Sequence, residues 1–253
     1  MTVITARDNP RVRRWRALGH DAALRRKEKA ALVEGPNLVS ACLEAGVAIK
    51  SVMLRKGADA HAALARRCGD PVVLAAEVFD AIADTDTPAG IAAEIALPDE
   101  GVELAKAANC VLMESIQDAG NVGTILRSAA AFGVTHAVLG PGCADAWSPK
   151  VLRAGMGAHF TLRLSQNADL EDAVRRFAGK LCCTVPRGGT ALREANLSGR
   201  IAWLFGAEGR GVSSGLLRLA NLRITIPMPG QAESLNVAAA AAVCFYELSR
   251  RAA

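Results

Sequence analysis

The chain has 253 residues, enough for one large domain or two ordinary ones, and its 51% hydrophobic content allows a substantial core. No apolar run approaches the length that spans a bilayer, and the charged opening MTVITARDNPRVRR lacks the form of a secretory signal, so a soluble cytoplasmic protein is expected. Residues 1–30 hold nine Lys or Arg and three acids, a net of +6 against +5 for the whole chain, so the remaining 223 residues sum to −1. That concentration suits a polyanion such as nucleic acid, and a solvated helix face explains it equally well.

Asn9-Pro10 reads as a cap followed by proline at the first helical position, opening a basic helix to about Leu18, and a second basic segment runs to Ala30. A compact alternating pattern follows: strands at Ala31–Glu34, Ile49–Leu54, Val72–Leu74 and Ile91–Ala96, with helices at Pro36–Ala45, Ala60–Arg67 and Ala76–Ala83. Pro98-Asp-Glu-Gly101 breaks the pattern and marks a domain boundary. The second half restarts with a strand at Cys110–Glu114, a helix at Val122–Phe132 closed by Gly133, and a strand at His136–Leu139, a βαβ unit that implies a parallel sheet. Further expected elements are a helix from Ser148-Pro149, a strand at Phe160–Leu164, a helix at Asp169–Ala178, and strands at Leu181–Val185 and Ile201–Phe205. The last are a strand at Leu222–Ile226 and a buried, Ala-rich helix capped by Ser234. Seven cysteines without a spaced CxxC pair point to unpaired structural thiols rather than disulfides or a zinc site, and no metal is expected.

Three loops at strand ends carry candidate chemistry. In Asn121-Val-Gly-Thr-Ile-Leu-Arg127, a cap at Asn121 would let Arg127 reach back over Gly123 with a donor fork suited to phosphate; an Arg paired with Asp118 is the plainer reading. In Gly206-Ala-Glu208-Gly209-Arg-Gly211 the order is G-x-x-G-x-G, which disfavours a nicotinamide-dependent oxidoreductase, and Glu208 is a polar contact, a base or a turn residue. The third loop, Ile226 to Asn236, delivers Ser234 and Asn236 to a helix start.

Taken in order, NVGTILR, FGAEGRG and ITIPMPG with SLNVA resemble the three signature motifs of the SpoU (TrmH-like) RNA 2′-O-ribose methyltransferases of the SPOUT superfamily. VITARDNPRVRRWRAL followed by LVEGPNLV is similar to the usual opening of that group. The resemblance implies an α/β protein with an L30e-like RNA substrate-binding domain over residues 1–98 and a SPOUT domain over residues 99–253, the latter holding a trefoil knot and a largely parallel sheet. Topology rules alone would give an unknotted sheet. It also implies S-adenosylmethionine as methyl donor, a homodimer, and RNA as substrate, ribosomal RNA first and transfer RNA second. A non-catalytic RNA-binding or ribosome-assembly protein and a base methylase are the alternatives.

Carried over residue by residue, Asn121, Arg127, Glu208, Ser234 and Asn236 fall on the family's polar catalytic positions, and Gly206, Ile226 and Leu235 on positions whose backbone contacts the cofactor. Arg7, Arg11, Arg13, Arg14 and Arg16 are the RNA-binding candidates. Arginine almost never loses its proton, so Arg127 is expected to anchor a phosphate, with Glu208 or an RNA phosphate as proton acceptor. His159 is expected in the core rather than as a base.

Overall fold

The computed structural model describes residues 3–98 and 104–252, so the expected boundary at Pro98–Gly101 lies mostly outside the described residues. The first elements are α1 (Pro10–His20), α2 (Ala22–Glu28), β1 (Ala30–Glu34), α3 (Pro36–Glu44), β2 (Ile49–Arg55), α4 (Ala62–Cys68), β3 (Val72–Leu74), α5 (Ala76–Asp80) and β4 (Ile91–Ala96). Asn9 caps α1, its side chain accepting the Arg11 N–H at 2.9 Å, with Pro10 pre-set for the first turn. The four strands form a sheet in the order β1-β4-β2-β3, antiparallel except for β2 with β3.

Helix α1 buries Val12, Trp15 and Leu18, three positions on one face, in a core with Leu32, Met53 and Phe79. Burying Trp15 also buries its indole N–H, which needs an acceptor. Glu94 on β4, 3% exposed, supplies it at 2.9 Å and takes a bidentate fork from Arg14 at 2.8 and 2.9 Å. Burial pushes the Glu94 carboxyl up, but the bonds from Arg14 and Trp15 outweigh it, so it lies below the usual carboxylate range. Arg14 is thus committed to Glu94 and Glu28, unlike Arg7, Arg11, Arg13 and Arg16, which are exposed.

The chain continues through β5 (Asn109–Glu114), α6 (Ala119–Ala131), β6 (His136–Leu139), α7 (Pro149–Gly155), β7 (Arg163–Ser165), α8 (Leu170–Arg176) and β8 (Lys180–Thr184). It ends with β9 (Thr190–Ala191), β10 (Ile201–Gly206), α9 (Ser214–Leu219), β11 (Leu222–Thr225) and α10 (Val237–Ala252). Two compact units result, and residues 145–160, α7 included, pack with the first. Within that first unit, buried Arg25 of α2 holds the start of residues 145–160, donating to Asp145 Oδ2 at 2.8 and 2.6 Å and to the Leu18 carbonyl. No local sequence signal announces a pair 120 residues apart. In the second unit seven strands lie in the order β7-β6-β5-β10-β8-β11-β9, and every pairing is parallel. The chain turns from one side of β5 to the other between β5 and β10, where Gly206 stands opposite Glu114.

Several local expectations are corrected. The strand placed at Phe160–Leu164 begins at Arg163, because residues 158–160 form a 3-10 turn, and α5 stops at Asp80. Strand β9 and helix α9 are too short for a periodic signal. Helix α10 is not buried all round: Val243 is 40% and Tyr246 55% exposed. All seven cysteines are unpaired, and burial pushes the Cys110 and Cys182 thiols up to about 12. Among the described residues no helix is long and apolar enough to cross a membrane.

Candidate active site

Three strands of the second unit, β8, β10 and β11, release their loops at the same edge, the carboxyl side where open parallel sheets hold ligands. The loop after β10 turns back on itself at once. The Gly211 N–H donates to the Ala207 carbonyl at 2.8 Å, and Gly209 and Gly211 adopt positive φ of 80° and 66°. A Cβ on Gly206 would lie 2.2 Å from the Gly211 carbonyl, so only glycine admits the returning chain there. The glycine order therefore serves the chain's own crossing, with Gly206 giving the close approach and the other two the left-handed turn.

That turn forms one wall of a cleft of about 480 Å³, the size of a small-molecule site. Gly206, Ala207, Glu208 and Val212 line it on one side, and Ile226, Met228, Ser234, Leu235 and Asn236 on the other. At its edge three side chains meet. Asn121 Nδ2 donates to Glu208 Oε1 at 2.5 Å, and Asn236 Nδ2 donates to the same oxygen at 3.2 Å and to Asn121 Oδ1 at 3.0 Å. Two amide donors on one oxygen fix the carboxylate and leave Glu208 Oε2 uncommitted among the described residues.

Two helix starts free these amides for that task. Helix α6 is capped by Asp118, whose Oδ1 accepts the Asn121 N–H at 2.8 Å, and not by Asn121, which sits inside the first turn with its side chain available. Helix α10 is capped by Asn236, whose Oδ1 accepts from Ala238 and Ala239 at 2.9 and 3.3 Å, and not by Ser234, which lies exposed in the cleft wall. Asn236 thus caps with its oxygen and holds Glu208 with its nitrogen. Serine and asparagine are both good caps, so composition does not choose between positions 234 and 236.

Of the sequence candidates, Asn121, Glu208 and Asn236 are hydrogen-bonded together, and Gly206, Ile226, Ser234 and Leu235 line the adjoining cleft. Arg127 stands apart, exposed on α6, lining neither this cleft nor the neighbouring cavity, and with no hydrogen bond or ion pair among the described residues. The expected alternative pairing with Asp118 is not made. His159 packs in the first unit against Trp147, its Nε2–H donating to the Ala146 carbonyl at 2.8 Å, and burial pushes its pKa down to about 4. Sequence reasoning did not single out Thr184, Val185 and Pro186, which line the cleft from the end of β8. Only the sheet order, which sets β8 between β10 and β11, brings them in.

A parallel α/β domain whose last three loops enclose one cleft beside a fixed carboxylate is a small-molecule cofactor site, and comparison with known proteins names the class. The SpoU rRNA Methylase family matches residues 108–246, and the MRM3-like substrate binding domain matches residues 9–93. The 23S rRNA (guanosine(2553)-2′-O)-methyltransferase RlmP of Bacillus subtilis is 34% identical over 252 residues, covering 98% of this chain and 99% of that protein. An AdoMet-bound rRNA methyltransferase from Sinorhizobium meliloti superposes with a TM-score of 0.85 at 28% identity, over 99% of this chain and 98% of that one. The SpoU methyltransferase AviRb from Streptomyces viridochromogenes, in complex with AdoMet, gives 0.86 at 26% identity, over 96% and 98%. The chain belongs to the SpoU rRNA methylase family. Its activity is S-adenosylmethionine-dependent methyl transfer to an RNA ribose.

Proposed function

We propose that the chain methylates a ribose 2′-hydroxyl of ribosomal RNA, with residues 1–98 gripping the RNA and residues 99–253 holding the cofactor in a knotted SPOUT domain. The observation that carries this is the Glu208 carboxylate, clamped by Asn121 and Asn236 at the rim of the cleft. The cleft fits S-adenosylmethionine: Val212, Ile226, Met228 and Leu235 would offer apolar surface to its adenine and methionine carbon chain, and the Gly206–Gly211 turn would offer bare backbone to its polar groups. When bound, that cofactor supplies an electrophilic methyl on a sulfonium. The chain's own task is positioning, which supplies on the order of several kcal/mol when reacting groups are well aligned. Glu208 Oε2 accepts the hydroxyl proton, while Asn121 and Asn236 hold the carboxylate still.

The exposed arginines Arg7, Arg11, Arg13 and Arg16 favour RNA backbone contact by the first unit. Arg127, exposed and unpaired among the described residues, is available to an RNA phosphate. A homodimer is the assembly we infer, since Val243 and Tyr246 leave apolar surface on α10 beside Pro227 and Met228. Incubating the protein with methyl-tritiated S-adenosylmethionine and ribosomal RNA from cells lacking it tests the reading. Label in alkali-resistant dinucleotides is expected, because a 2′-O-methyl blocks cleavage at its own phosphodiester. Label in mononucleotides would make it a base methylase, and label in transfer RNA alone would move the substrate.

A further inference from the structure

One wall of the cleft is built where the chain crosses its own strand. Strand β11 lies between β8 and β9, and Ile224 is paired with Thr184 of β8 on one side and Thr190 of β9 on the other. Residues 185–189 therefore carry the chain from one side of β11 to the other at the level of Ile224. The passage is tight: a Cβ on Gly189 would lie 2.7 Å from the Arg223 carbonyl oxygen, so only glycine fits there. Thr184, Val185 and Pro186 line the cleft at the start of this crossing, and Ile226, directly after β11, lines it as well.

A single side chain ties this crossing down. Thr225, half-buried at the end of β11, accepts the Gly189 N–H on its hydroxyl at 3.0 Å and donates that hydroxyl to the Val185 carbonyl at 3.2 Å. A hydroxyl carries one donor and two acceptor sites, so Thr225 Oγ1 serves both ends of the loop at once. The Val185 N–H adds a backbone bond to the Ile224 carbonyl at 2.8 Å. Between these ties Pro186, Arg187 and Gly188 are exposed, and among the described residues they make no hydrogen bond of their own. The loop is held at its ends or not at all.

We propose that Thr225 is a positioning residue for the cofactor: its hydroxyl clasps residues 185–189 over β11, so that Thr184, Val185 and Pro186 form a fixed wall for bound S-adenosylmethionine. The inference rests on the reading of this cleft as the cofactor site. Thr225 does not line the cleft and acts through the loop. In Thr225→Val a methyl replaces the hydroxyl in a side chain of the same shape, and the Gly189 N–H and Val185 carbonyl lose this partner. The loop then spends part of its time open, and apparent cofactor affinity falls in proportion to the fraction of molecules in which it is closed.

Calorimetry with S-adenosylmethionine tests the clasp. Loss of two ordinary hydrogen bonds predicts a Kd ~10-fold higher in Thr225→Val, and Thr225→Ser, which keeps the hydroxyl, should restore most of it. In methyl transfer the loss should appear in KM for the cofactor and not in kcat, because the hydroxyl does not touch the reacting atoms. Hydrogen–deuterium exchange reads the loop itself. In Thr225→Val the amides of residues 187–190 should exchange faster while β8 and β10 stay protected, and added S-adenosylmethionine should slow them. Wild-type affinity in Thr225→Val overturns the proposal, as does affinity in Thr225→Ser as weak as in Thr225→Val. A Gly189 amide that exchanges without protection in the wild-type protein also overturns it, whether or not the variants fold. If wild type binds S-adenosylmethionine with no change in exchange at residues 185–190, 206–211 and 226–236, the reading of the cleft as the cofactor site falls instead, and the clasp's role with it.

Discussion

Replacing Asn236 separates its two tasks. In Asn236→Ala the Ala238 and Ala239 N–H groups lose the cap acceptor, which costs about 1 kcal/mol. For a chain of this size that lowers the melting temperature by roughly 2–4 °C. The same change removes the amide that holds Glu208 and Asn121, and loosening a reacting group by an ångström costs on the order of 10²-fold in rate. Asn236→Ser restores a cap acceptor without an amide that can reach Glu208, so it should keep near-wild-type stability and still lose activity. Thermal unfolding and single-turnover methyl transfer at saturating cofactor measure the two effects apart. Wild-type turnover in Asn236→Ser would refute the role of the Asn121–Glu208–Asn236 cluster. An Asn236→Ala protein as stable as wild type would refute the cap.

Gly206→Ala should abolish cofactor binding by calorimetry, because its Cβ meets the Gly211 backbone, whereas Gly209→Ala, with open space around its Cβ, should cost only the strain of its positive φ, about 1 kcal/mol. Arg14→Ala should destabilise the protein by about 3 kcal/mol by leaving the buried Glu94 carboxylate without its cation, with only the Trp15 N–H still donating to it. The pair Arg13→Ala and Arg16→Ala should instead leave unfolding unchanged, weaken RNA binding and flatten its salt dependence. His159 gives a pH signature. Its folded pKa is pushed down to about 4, below the unfolded value, so the unfolded chain binds a proton in between that the folded one does not. Stability contributed by neutral His159 is present above about pH 6.5 and is lost as pH falls toward 4, by about 3 kcal/mol in total. Urea unfolding across that range should show a steeper loss in wild type than in His159→Gln, and parallel curves would refute the burial argument.

Long, strongly patterned segments are legible in the sequence alone. The basic helix opened by Asn9-Pro10, the strands at Val72–Leu74, Ile91–Ala96 and His136–Leu139, and the parallel βαβ unit follow from local capping chemistry and apolar runs. The three loop motifs, in their order, carried the family and the polar residues of the site. Harder to read were features set by distant partners. Arg14 looks like any other arginine of the basic segment, and only the packing of Trp15 on β4 commits it to Glu94. Residues 145–160 read as part of the second domain until Arg25 claims Asp145.

The opening residues of α10 show the same division. The sequence reading places the cap of this helix at Ser234 and takes Ser234 and Asn236 alike as site candidates. The path of the loop after Pro227 and Pro229 decides that Asn236 caps the helix and clamps Glu208 while Ser234 lines the cleft. Likewise the end of β8 joins the site only because β8 lies between β10 and β11. The sequence by itself determined which residue types gather at the strand ends, since local propensity and motif order are properties of short stretches. Only the tertiary structure decided which of them touch, because hydrogen-bond partners 87 or 115 residues apart are fixed by strand order and not by spacing along the chain.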